Sequence, residues 1–154
     1  GRVDIGFGLI TRNSPSIRYE RLVSQPFSLV VSRESKLAKR ASIDLKELDG
    51  QRLVLLPDSF DMRRAADVVL SHARVHPRVM FEIDSIDAVL SSVVHAGIPT
   101  VLPAIVLRGR DMPTLRAIPF AGKTRQMDFG ILWPASNHAD PATLAIAAAL
   151  NTSI

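Results

Sequence analysis

The sequence predicts an α/β protein with a largely parallel sheet, and three observations carry that expectation. Short apolar runs at 27–31 (FSLVV), 53–56 (LVLL) and 98–102 each have the length of a buried strand. Two stretches between them carry an apolar stripe at helical spacing. Met62, Ala65, Ala66, Val69, Leu70 and Ala73 form the first stripe, and Ile86, Val89, Leu90, Val93 and Val94 form the second. Strand-like and helix-like stretches alternate along the chain, which is the pattern of a sheet with helices packed on it.

Taken in order, Val3–Leu9 reads as a strand and TRNSPSIRYE at 11–20 as a polar connection. The strand at Phe27–Val31 leads through a charged stretch to a short helix near Ile43–Leu48, closed by Asp49-Gly50. Leu53–Leu56 is a strand ending at Pro57. The two striped helices follow, with Val79–Ile83 as a strand between them and with Asp61 and Ser85 as N-caps. Gly97 provides the left-handed residue that stops the second helix, so that Ile98–Leu102 begins a buried strand at once. Pro103 opens a helical turn, and strands follow at Leu115–Pro119 and Met127–Trp133. Asp140-Pro141, a cap followed by proline at the first helical position, starts a last helix that runs to about Leu150. Crossings between lobes are expected at Ser24-Gln25-Pro26 and at Arg108 to Pro113.

Composition narrows the function. At 154 residues and 47% hydrophobic content the chain can bury one substantial core, or form one domain with two lobes. Its mean hydropathy is +0.17, yet the longest apolar stretch, Ala142–Leu150, is far below the roughly 18–20 residues of a membrane span. Residues 1–10 read as a strand and not as a signal peptide. The absence of cysteine removes disulfides, thiolate metal sites and a cysteine nucleophile, and agrees with a reducing compartment. A net charge of +4 points toward nucleic acid. The basic residues are scattered, however, and the densest group, RESKLAKR at 33–40, includes Glu34. One Trp and one Tyr make no stacking platform. A solvated basic face is the reading adopted.

Most chemical motifs fail on inspection. Gly6-Phe7-Gly8 follows a strand, but Thr11 stands where a dinucleotide fingerprint needs its third glycine. His72 and His76 have metal-ligand spacing on a helix, but Pro77 ends that helix and no third ligand offers itself, so no metal or cofactor is expected. No GxSxG occurs. Asp84 and Asp87 flank a helix start, where Asp87 favours the dipole. No acid/base pair can be assigned a mechanism, and the protein reads as a non-enzyme.

PDSFDMRR at 57–64 is the most informative stretch. A strand ends, a helix begins, and Arg63 and Arg64 fall in the first turn, where cations oppose the dipole by about 0.3–1 kcal/mol each. A bound anion, held by backbone N–H groups and an arginine fork, would offset that cost. Local pairing of Arg63 with Asp67 or Asp61 would do so equally.

Four stretches in order, VDIGFGL, FSLVVSRESKLAKRASIDLKEL, LVLLPDSFDMR and FEIDSIDAVLSSVVHAGIPTVLPA, resemble the effector-binding domain of LysR-type transcriptional regulators over nearly all 154 residues. The middle part is most similar to the cyanate-operon regulators, and the GFG start resembles regulators answering to benzoate and muconate. The resemblance implies an α/β, two-lobed, periplasmic-binding-protein-like (type II) effector domain with a small effector in the cleft between lobes. It implies a partial lobe I at 1–24, a complete lobe II at 25–111 and a return to lobe I over 112–154. The family's DNA-binding domain and the first part of lobe I precede the DIGFG strand. Operator DNA is thus expected to be reached only through that absent N-terminal domain.

Carried over by position, the resemblance implies effector contacts at Phe7, Gly8 and Leu9, at Ser59, Phe60, Asp61, Met62 and Arg63, and at Gly97, Pro99 and Thr100. Met62 stands where many relatives have Thr, and Leu9 where some aromatic-acid regulators have a basic residue. The implied effector is a small anion and the implied location cytoplasmic. Lobe I of one subunit usually packs on lobe II of the next, so the helix at 62–73 and the strand at 79–83 should expose apolar surface. Self-association is therefore expected, with the full-length protein a homotetramer. Two other readings remain on this fold. A solute-binding protein of a transport system would need a signal peptide, and a dehydratase-like enzyme would need an acid/base group, for which only Asp61 is available.

Overall fold

FSLVV is buried on both faces: Val30 faces one apolar cluster, while Phe27, Leu29 and Val31 are buried beside it. In the computed structural model, which describes residues 5–10, 15–122, 124, 126–135, 145 and 149, this run is the second half of a long strand. The elements are β1 (Gly6–Leu9), β2 (Ile17–Ser32), β3 (Arg52–Leu55), α1 (Asp61–His72), β4 (Arg78–Glu82), α2 (Ile86–Ala96), β5 (Thr100–Pro103), β6 (Leu115–Pro119) and β7 (Gln126–Pro134). Short 3-10 turns stand at Lys36–Lys39, Leu45–Leu48 and Ala104–Leu107.

The chain divides into two compact units, Gly1–Gln25 with Met127–Ile154, and Pro26–Gln126. In the smaller unit β1 pairs antiparallel with β7, placing Phe7 opposite Ile131 and Gly8 opposite Gly130, and β7 in turn neighbours β2. Gly130 is required there: a Cβ at this position would lie 2.0 Å from the Glu20 carbonyl oxygen. Phe129 and Ile131 are buried, whereas Phe7 is 53% exposed.

In the larger unit the second half of β2 lies between β5 and β6 and is antiparallel to both. β3 and β4 pair in parallel, and the Val54 N–H donates to the Pro99 carbonyl at 3.0 Å, joining β3 to the chain just before β5. The expectation of a largely parallel sheet is therefore corrected. A continuous apolar run reports burial on two faces, and two-sided burial does not fix strand direction. α2 covers the sheet with Val89, Leu90 and Val93, which join Val54, Leu56, Ile98, Leu102 and Val106 in the main core.

Two further expectations change. The connection at 11–20 is in its second half strand: β2 begins at Ile17 and runs through Gln25-Pro26. The helix expected at 43–48 is a 3-10 turn over Leu45–Leu48, because Ile43 is engaged in a bridge with Phe120. Its Asp44 cap and Glu47 complete a capping box. The larger unit runs on to Gln126. β6 belongs to β2, Met112 packs on the main core, and Arg110 ties the intervening segment to Asp87 (2.7 Å) and to the Val106 carbonyl (2.6 Å). The helix expected from Asp140 lies outside the described residues apart from Ala145 and Ala149, both helical. Among the described residues no helix is long and apolar enough to cross a membrane.

Candidate functional site

In the larger unit one expected group packs on the main core, next in sequence to a second. Phe60 and Met62 pack against the cluster that contains Ile98 and Leu102. Gly97 closes α2 in the left-handed conformation (φ 66°) and Pro99 is tied to β3. The Thr100 hydroxyl is buried with no hydrogen-bond partner among the described residues. An unmet buried hydroxyl costs about 1–3 kcal/mol. Phe7, Gly8 and Leu9 stand on β1 of the smaller unit.

The segment from Leu56 to Arg64 has an ordered polarity. Phe60, not Asp61, occupies the N-cap of α1, and no side chain caps this end. Asp61 is the first helical residue, so its carboxylate cannot take a cap's position. The backbone N–H groups of Asp61, Met62 and Arg63 find no acceptor among the described residues, as expected of an uncapped first turn. The carbonyls behave in the opposite way. Leu56 O accepts from Arg63 Nη1 at 2.6 Å, and Asp58 O and Ser59 O each accept from Arg64 Nη1 at 2.9 Å. Pro57 O accepts from the Phe60 N–H and Phe60 O from the Arg64 N–H, both at 3.1 Å. Every carbonyl from Leu56 to Phe60 is thus satisfied from within the segment.

Arg63 is not a free anion fork. Its side chain is 12% exposed, with Nε 3.0 Å from both Asp67 carboxylate oxygens and Nη1 2.6 Å from Glu82 Oε1. Burial alone would lower its pKa, but Glu82 and Asp67 outweigh it, and the group is held above its ordinary value. Asp61 pairs with Arg64 and not with Arg63. Arg63 with Asp67 was legible as an i,i+4 pair; Arg64 with Asp61, three apart, carried the same kind of signal. Glu82, on β4, gave none. His72 ends α1 and its Nδ1 meets the Val68 carbonyl at 2.7 Å, leaving His76 beyond the helix. Among the described residues no three His, Asp or Glu side chains are grouped to hold a metal ion.

The α/β architecture, with β3 leading into α1 and β4 into α2, is that of the periplasmic-binding-protein-like (type II) fold of LysR substrate-binding domains. The chain belongs to the LysR substrate binding domain family, whose model matches residues 1–153. It is 30% identical over 118 residues to the HTH-type transcriptional regulator YybE of Bacillus subtilis, a match covering 76% of this chain and 39% of that protein. The chain therefore spans about two-fifths of that relative. Two solved structures share the fold at lower identity. The regulatory domain of CcmR from Synechocystis PCC6803, in complex with 2-PG, superposes with a TM-score of 0.82 at 15% identity, covering 97% of this chain and 73% of that one. The effector binding domain of QuiR in complex with shikimate gives 0.79 at 18%, covering 99% and 73%.

Proposed function

We propose that this chain is the ligand-sensing module of a LysR-type transcriptional regulator, and that its effector is a small anion docking at the first turn of α1. The observation that supports the anion assignment is the uncapped N-terminus of α1 behind a segment whose carbonyls are all engaged: the first-turn N–H groups have no acceptor among the described residues, while the preceding carbonyls have donors. The expected contacts Ser59, Phe60, Asp61 and Met62 lie at that turn; the resemblance also assigns Gly97, Pro99 and Thr100 of the larger unit, and Phe7, Gly8 and Leu9 on β1 of the smaller unit, to the effector. Arg63 serves through the backbone it holds. Binding alters DNA recognition by the full-length protein, which reaches its operator through an N-terminal domain, acts in the cytoplasm and catalyses nothing.

The resemblance of the middle part to cyanate-operon regulators, and of the GFG start to benzoate and muconate regulators, chooses the probes. Thermal melts with cyanate, azide, benzoate, muconate, sulfate and phosphate should show a saturable rise in midpoint with at least one anion. A folded chain with a flat response to all of them, also when the N-terminal part of lobe I is supplied, would remove the anion assignment.

Self-association belongs to the same proposal. Val68 on α1 and Val79 and Phe81 on β4 are exposed, Phe81 at 52%. Covering such side chains is worth roughly 25 cal/mol per Å². The full-length protein is expected to be a homotetramer, and a monodisperse monomer in dilute sedimentation of this chain would count against this face as an interface.

A further inference from the structure

Resting on the self-association reading above, we propose that β4 and the flank of α1 form a self-complementary face. Its partner is a second copy of this chain, lying antiparallel across it about a two-fold axis near Met80. β4 is the outer strand of the β3–β4 pair, and among the described residues no strand lies on its free side. Its pairing with β3 slips between the pairs Leu53 with Val79 and Val54 with Phe81, which leaves Met80 as an extra residue. Met80 packs on the main core, whereas Val79 and Phe81 on either side of it are exposed. The bulge interrupts a regular edge, so the face offers side chains more than a backbone ladder.

The charges on this face are ordered. Along β4 the outer residues run Arg78, Val79, Phe81, Glu82: basic, apolar, apolar, acidic. α1 has the reverse order in sequence, from Asp67 through exposed Val68 to Arg74 just past its end. The acidic ends coincide, because Arg63 holds Asp67 and Glu82 together. Two partly exposed carboxylates share that one guanidinium, and this end stays net negative. At the other end Arg74 and Arg78 flank the connection into β4, and Arg52 is the partner of Arg78 in register on β3, strands about 4.8 Å apart. No carboxylate among the described residues pairs with these three, although Arg21, Arg40, Arg63, Arg64 and Arg110 each have one. Asp49, the acid beside them in the chain fold, is turned to the His76 N–H.

A face that is basic at one end, apolar in the middle and acidic at the other complements itself in one orientation, the antiparallel one. Turned about the two-fold, Arg78 of each copy meets Glu82 of the other, and Val79 meets Phe81. The contact covers apolar side chains at its centre and supplies carboxylates to unpartnered arginines at both rims.

Sedimentation of the whole chain over a concentration series, alone and as variants, tests this pairing. Arg78→Glu and Glu82→Arg each place like charges at both rims, so each alone should lose about tenfold or more in dimer affinity. Mixed in equal amounts the two should recover it, since both rims of the mixed dimer are again pairs of opposite charge. Glu82 also holds Arg63, so thermal melts must show Glu82→Arg to be folded; where it is not, single-cysteine chains decide. The chain has no cysteine, and Val79→Cys mixed with Phe81→Cys should give a disulfide-linked dimer on oxidation in preference to either alone.

A dimer untouched by the charge reversals, or a mixture no tighter than its components, would overturn the two-fold pairing and leave self-association standing. Preferential linkage of Val79→Cys to Tyr19→Cys would assign the partner surface to the smaller unit and overturn the pairing equally. A parent chain that stays monomeric throughout the series would remove the self-association reading itself, and this pairing with it.

Discussion

The two helices of the larger unit are built to different rules. α2 is closed at both ends: the Ser85 hydroxyl accepts from the Ala88 N–H, and Gly97 takes the left-handed position at the other end. α1 has Phe60 at its N-cap without a side-chain cap, and just beyond its C-terminus Arg74 carries a positive φ of 56°. Even the short turn at Leu45–Leu48 has a full capping box. The contrast separates a helix that serves the core from one whose first turn is kept open. Leaving a cap out costs about 1 kcal/mol, and the open end lies where the expected effector contacts lie.

That contrast can be broken most forcefully in the core. Leu90 of α2 is completely buried, so Leu90→Ala should cost about 2–5 kcal/mol in urea unfolding. Val68→Ala on the exposed face of α1 should change the same measurement by less than about 0.5 kcal/mol. An equal loss in Val68→Ala would mean that this face of α1 is covered and not exposed.

The helix ends come next. Gly97→Ala places a Cβ at φ 66° and should destabilise by about 1–2 kcal/mol. Arg74→Gly relieves the same strain at φ 56° and should stabilise by up to about 1 kcal/mol. Thermal melts read both, and a loss in Arg74→Gly would show that its side chain holds something more valuable than the backbone it strains.

Thr100→Val sharpens the comparison on a smaller scale. Because the hydroxyl is buried without a partner, the near-isosteric valine should be neutral or stabilising by up to about 1 kcal/mol. If anion affinity falls while stability rises, the hydroxyl is held for the ligand. If both are unchanged, Thr100 leaves the contact set.

The smallest effect is in the capping box. Glu47 is held below the ordinary carboxylate range, first by the Arg40 guanidinium and then by the Asp44 N–H. A depressed folded-state value means that its contribution is complete above that ordinary range and is lost as pH falls through the lowered value. Glu47→Gln should flatten the acid limb of the stability curve slightly, and salt should do the same, since the pair is exposed. An unaltered acid limb would show that the box contributes nothing measurable.

Much of the fold was legible because its signals are local. The stripes at 62–73 and 86–94 gave both helices, Gly97 gave the stop, and β6 was read at its full extent, Leu115–Pro119. The first half of β2 was not, since Ile17–Arg21 is exposed along its whole length and leaves no burial pattern. Strand direction was hidden too, because a partner such as Pro119 for Ser28 is set by a pairing across ninety residues of chain. At the site, the segment 57–64 was found from its residue types. Its polarity was not, because the acceptors for Arg63 and Arg64 include three backbone carbonyls and a carboxylate on another strand.

The division of the chain also sets a timetable. The larger unit, Pro26–Gln126, is continuous, whereas the smaller is made from the two ends of the sequence. On a ribosome the larger unit has all its residues once Gln126 has emerged. β1 must wait with its edge unpaired until residues 129–132 of β7 arrive to meet it. The exposed charged residues Arg18, Glu20 and Arg21 in the first half of β2 suit a strand that waits in the same way, because charge on an open edge opposes pairing with another chain.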